Sequence, residues 1–148
     1  MSIVLLTIAG AVIAIVVGTF WYSNATPMGK LHMKYLGFDT LTPEEQKQKM
    51  QEGMKMMPKM YAAQIALSLL TSFAVVFIVT MSVRNGLSFP MALAFVAFNW
   101  LCFIVPTIGG ALLWSNCDRR IVWQKFFSDA GHNLTTLVLI ALLTSLFV

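Results

Sequence analysis

Charge is what this sequence has least of. Lys, Arg, Asp and Glu together make up 11% of its 148 residues, where a soluble domain carries about a quarter. That shortage excludes a water-facing surface around a small core and leaves a bilayer as the solvent. Cysteine is nearly absent as well. Cys102 and Cys117 stand about 22 Å apart along a helix, too far to pair, so no disulfide framework exists. The first apolar run has no Lys or Arg before it, and so lacks the basic flank of a secretory signal despite the small-x-small Ser23-Asn24-Ala25; it reads as a permanent helix. Strand-like alternation is missing too, which excludes a membrane β-barrel. No His, Cys or carboxylate set has metal-ligand spacing, and no nucleophile has a base placed beside it. No cofactor, metal or catalytic role is therefore expected.

What the chain does have is apolar length. Hydrophobic residues make up 58% and mean hydropathy is +0.77. Four runs reach the roughly 20 residues that a crossing needs: 3–21, 61–83, 90–114 and 125–148. The predicted fold is all-α, a single transmembrane domain over 1–148. It is a four-span helical bundle with an amphipathic helical loop at 22–60 between spans one and two.

Charge predicts orientation. Lys30, Lys34, Lys47, Lys49, Lys55 and Lys59 lie between the first two spans, and Arg119, Arg120 and Lys125 lie around the entry to the fourth. Only Arg84 lies on the other side. Lys and Arg resist translocation, so the long loop is expected in the cytoplasm and both termini outside, in a plasma (inner) membrane. The net charge of +4 then reads as attraction to anionic headgroups of the lipid bilayer. No nucleic-acid partner is implied.

Local grammar organises the long loop. Thr26-Pro27 opens a short helix that Gly37 ends, and Thr42-Pro43-Glu44-Glu45 is a capping box that opens another. Pro58 then kinks that helix or opens the second span. Met50, Met54 and Met57 follow helical period and read as an apolar stripe rather than a copper(I) site. In the third span, Pro106 with Gly109 and Gly110 predicts a kink. Gly10, Ala14 and Gly18 give the first span a small face suited to close packing, within the protein or in a homo-oligomer.

The stretch SDAGHN is the one polar island in the fourth run. Asp129, His132, Asn133 and Thr136 fall at i, i+3, i+4 and i+7 and share a face. Gln64, Ser68, Thr71 and Ser72 make a similar stripe on the second span, and the two stripes are expected to meet in a polar pocket beside Pro106. A helix that just spans the bilayer back from Val148 leaves Asp129 at the headgroup border, with Arg119, Arg120 and Lys125 among the headgroups. A helix that starts nearer Ile121 buries Asp129 by more than a turn, and it then needs a partner.

The run GTFWYSNATPMGKLHMKYLGF, the following TPEEQKQKM and the late FFSDAGHNL resemble the bacterial membrane family catalogued as domain of unknown function 1761. The markers are Trp21-Tyr22-Ser23, Gly29-Lys30, Gly37 before a Glu- and Lys-rich helix, and Asp129-Ala130-Gly131. In that family Tyr and His follow Asp-Ala-Gly; here His132 and Asn133 stand in those places. The resemblance implies a four-helix membrane protein and leaves its function open. Two functional readings remain. The first is binding or assembly, as an oligomer or a subunit. The alternative is passage of a small cation or proton, with Asp129, His132, Asn133, Gln64 and Ser68 as the binding residues of a cytoplasm-facing pocket.

Overall fold

The computed structural model describes residues 1–148. Helix α1 spans Ile3–Trp21, α2 Pro27–Tyr35, α3 Pro43–Arg84, α4 Phe89–Asn99, α5 Val105–Leu113 and α6 Arg119–Ser145. A π-helical turn, Trp100–Ile104, joins α4 and α5 into one rod over Phe89–Leu113, so the bundle has five rods. Four of them are long and apolar enough to cross a membrane: α1, α3, Phe89–Leu113 and α6.

Side-chain caps set most of the starts. Ser2 accepts from the Leu5 amide at 3.3 Å and Thr26 from the Gly29 amide at 3.0 Å. Thr42 and Glu45 form the full capping box, each satisfying the other's backbone amide. Gly37 takes the left-handed φ of 74° that a turn after α2 requires.

Pro58 does not open a separate helix, since α3 runs through it for 42 residues. At 1.5 Å per residue that is about 63 Å, twice the roughly 30 Å of a hydrocarbon core. The 22–60 connection is therefore α2, a 3₁₀ turn at Phe38–Thr40 and the first turns of a membrane helix, rather than a free amphipathic helix. Met50, Met54, Met57 and Met60 lie exposed on that projecting stretch. Pro106 acts on the turn before it. Its ring crowds the carbonyl four residues back, and the chain widens there, with the Val105 amide bonding Trp100 O in the π register.

The core is a short apolar seam in which Leu6 of α1 meets Val75, Val76 and Val79 of α3, Ala92 and Val96 of α4, and Leu137, Ile140 and Ala141 of α6. Only 22 of the 148 residues are buried, so this is a thin bundle whose apolar exterior, such as Val4, Val12, Val16 and Phe20 on α1, is left for lipid. Packing rather than water exclusion must hold such helices together. The small face of α1 serves this purpose inside the protein. A Cβ on Gly10 would lie 2.2 Å from Ser72 Oγ and 3.0 Å from Ile140, and one on Gly18 would lie 3.5 Å from His132 Nε2.

Candidate functional site

α6 begins at Arg119, six residues before the span read from the sequence, and this places Asp129 ten residues into the helix. Within the protein Asp129 is largely covered, and it has the partners that burial demands. One comes from its own helix: Lys125, four residues earlier, forms an ion pair with both carboxylate oxygens. The other crosses 107 residues, for Tyr22 Oη donates to Asp129 Oδ1 at 2.7 Å. The Lys125 side chain is 6% exposed and that of Asp129 18%. The i, i+4 spacing draws Lys125 inward against the acid, where protein covers it.

The turn after α1 builds the rest. Tyr22 caps α1, and the Thr26 hydroxyl donates to Trp21 O at 2.7 Å while capping α2. Gly29 then presses α2 onto that turn so closely that a Cβ would stand 2.0 Å from Ser23 O. α2 comes to rest on α6 and sets His32 and Tyr35 beside the ion pair. Lys125 Nζ lies 5.0 Å from the centroid of Tyr22 and 5.8 Å from that of Tyr35, within range for the negative ring faces to attract it. The connection before α6 is tied in through Cys117, whose thiol donates to Tyr35 O at 3.4 Å.

Two imidazoles flank Tyr22, each with its centroid 5.1 Å away: His32 from α2 and His132 from α6. Trp21 stands edge-on to His132 at 5.8 Å and donates from Nε1 to Ser128 Oγ at 3.1 Å. His32 Nδ1 and His132 Nε2 are both buried without a hydrogen-bond partner. Burial pushes the Tyr22 hydroxyl well above the ordinary phenol range, and the bond to Asp129 adds to this. Burial also holds His32 below the ordinary imidazole range, with Lys125 reinforcing the effect and Asp129 opposing it. Both groups therefore sit neutral beside one cation and one anion.

The other residues of the sequence-based site are placed apart. Asn133 turns back on its own helix and donates to Asp129 O at 2.8 Å. Gln64 is exposed and donates to Ser68 Oγ at 3.3 Å, and no hydrogen bond links either residue to Asp129 or His132. α3 and α6 do pack together, but the hydrogen bond that Asp129 makes outside its own helix runs to the α1–α2 turn. The π turn before Pro106 contains Trp100, which donates to Ala130 O of α6 at 3.0 Å. Sequence reasoning left out Tyr22, His32, Tyr35 and Lys125. The Lys125–Asp129 spacing was the signal available for one of them; the other three come from a separate stretch of chain and carry no such signal.

Chemically, the cluster can hold or exchange a proton. Its acid is fully engaged, its cation has no second counter-ion, and two imidazole nitrogens stand free. No three His, Cys, Asp or Glu side chains converge in a metal-binding arrangement. Trp21-Tyr22, Gly29, and Asp129-Ala130-Gly131, which carry the family resemblance, are brought together at this one junction. No curated protein and no solved structure matches the chain. A family does match it, over residues 5–145, and the chain belongs to that family, the proteins of unknown function designated DUF1761.

Proposed function

We propose that the protein is a multi-pass inner-membrane protein that binds a proton at Asp129 and responds by releasing Lys125. Both termini lie outside and residues 22–60 lie in the cytoplasm. The observation that carries this is a Lys side chain only 6% exposed whose charge is balanced by a single carboxylate. Stability alone is a weak reason for such a pair, because apolar side chains of similar volume would serve at least as well. A protonated Asp129 can still accept from Tyr22 through its carbonyl oxygen, but it no longer balances Lys125. The cation is then the part that moves, and α2, resting on it through Tyr35, is the element it disturbs. In membranes, infrared titration should show a protonated carboxyl band appearing as pH falls, absent from Asp129→Asn, with Lys125 becoming reactive to an amine reagent over the same range. A carboxylate ionised throughout, with Lys125 unreactive throughout, would leave the pair structural and overturn the proposal.

One observation favours a second reading, passage of the proton across the membrane. Thr7 Oγ1, Ser72 Oγ and Thr80 Oγ1 are buried without partners. Thr7 lies one turn from Gly10, which Ser72 faces, and His132 faces Gly18 farther along the same helix. Proton flux into liposomes, lost in Asp129→Asn and reduced in Ser72→Ala, would support passage; tight liposomes would leave binding.

The orientation rests on Lys and Arg. With Lys125 drawn inside, eight of the nine remain on the proposed cytoplasmic side against Arg84 alone. With native cysteines removed, Ser2→Cys should label from outside intact cells and Gln48→Cys should not. The reverse pattern would invert the assignment.

A further inference from the structure

Between α5 and α6, towards the start of α6 and about a quarter-turn around it from the ion pair, lies a groove of about 620 Å³. Glycine makes it. A Cβ on Gly110 would meet nothing within 4 Å, and one on Gly109 would meet only the Phe126 ring at 3.4 Å. Two side chains' worth of space is therefore missing from the α5 face, and Pro106 continues the same bare strip one turn earlier. The facing wall is Val122, Trp123 and Phe126, with the two aromatic rings edge to face at 5.7 Å. Trp123 is 53% exposed, and so is Leu113 at the end of α5, so the groove opens sideways to lipid at the level where Trp anchors helices.

Its mouth is cationic. Arg119 lines the groove and hangs over the end of α5, with Nη1 donating to Leu113 O at 3.4 Å and its other N–H groups free of protein partners. Its neighbour in sequence, Asp118, is occupied in capping α6, where it accepts from the Arg120 amide at 2.7 Å. An apolar slot with a free guanidinium at its headgroup end has the charge and shape complementarity of one amphiphile class. We infer that this groove is a binding site for an anionic phospholipid of the leaflet facing residues 115–118, one acyl chain lying over Gly109 and Gly110 and the phosphate on Arg119.

The test uses the full chain in detergent, with native mass spectrometry during titration by phosphatidylglycerol and by phosphatidylcholine of equal chain length. Wild type should retain one phosphatidylglycerol about fivefold more strongly, as expected for one basic contact near a membrane surface. Arg119→Gln should bring that ratio close to one, while Arg120→Gln, outside the groove, should leave it in place. Gly110→Leu should fill the slot and lower retention of both lipids. Should Gly110→Leu fail to fold, Gly110→Ala fits without contact and should lower retention partially. A wild-type ratio near one, an equal loss in Arg120→Gln, or full lipid retention in both Gly110 variants would each overturn the site. The second outcome would reduce it to general surface attraction.

Discussion

Asp129→Leu is expected to lower stability by about 3–5 kcal/mol, because it strands a buried ammonium with no counter-charge. Asp129→Asn should cost nearly as much. The amide can still accept the Tyr22 hydrogen bond, but it cannot neutralise Lys125, so shape conservation is of little help. It is the burial of Lys125 that makes so conservative a change costly. Lys125→Met should be milder, since Asp129 retains Tyr22 and is 18% exposed. Lys125→Met with Asp129→Leu should recover most of the loss, because a buried pair replaced by apolar groups is often neutral. Melting of the four proteins in detergent closes the double-mutant cycle. If Asp129→Asn melts with wild type, Lys125 is solvated and the cluster is not a coupled unit. The same result would remove the basis for a proton switch.

Gly29→Ala should be the most damaging single methyl addition in the chain. Its Cβ would fall 2.0 Å from Ser23 O and 2.8 Å from Tyr22 O, both backbone atoms held in the turn that caps α2, so no side-chain rotation relieves the clash. Either α2 lifts off or the turn unwinds. The cost is expected at about 3 kcal/mol or more, the upper end for overpacking. Lifting α2 withdraws His32 and Tyr35 from Lys125, so amide exchange across α2 should accelerate along with the fall in melting temperature. Gly131→Ala is the control, because its Cβ would meet the Trp21 ring at an ordinary 3.8 Å. Normal α2 protection in Gly29→Ala would mean that the turn is softer than its geometry implies.

Membrane class, four spans, the Thr26 and Thr42 caps, and a disturbance near Pro106 were all legible in the residues. Each is decided by composition or by neighbours within about four positions, the range over which helical period and capping act. Even the Lys125–Asp129 pair has local spacing. Its burial does not, because that depends on which element covers α6, and only the three-dimensional chain path supplies α2. The same holds for Pro58. A missing amide bond predicts a kink or a new helix start, and whether the helix continues is set by what packs around its two halves. Gly10, Ala14 and Gly18 announced a close approach without naming the partner, and the tertiary structure assigns Gly10 to Ser72 and Gly18 to His132. The pairing of Asp129 with Tyr22 instead of with Gln64 and Ser68 is of this kind too. Several polar faces offered hydrogen bonds of similar strength, and the selection came from the backbone contact at Gly29, whose requirement for hydrogen in place of a side chain becomes visible only once Ser23 O lies against it.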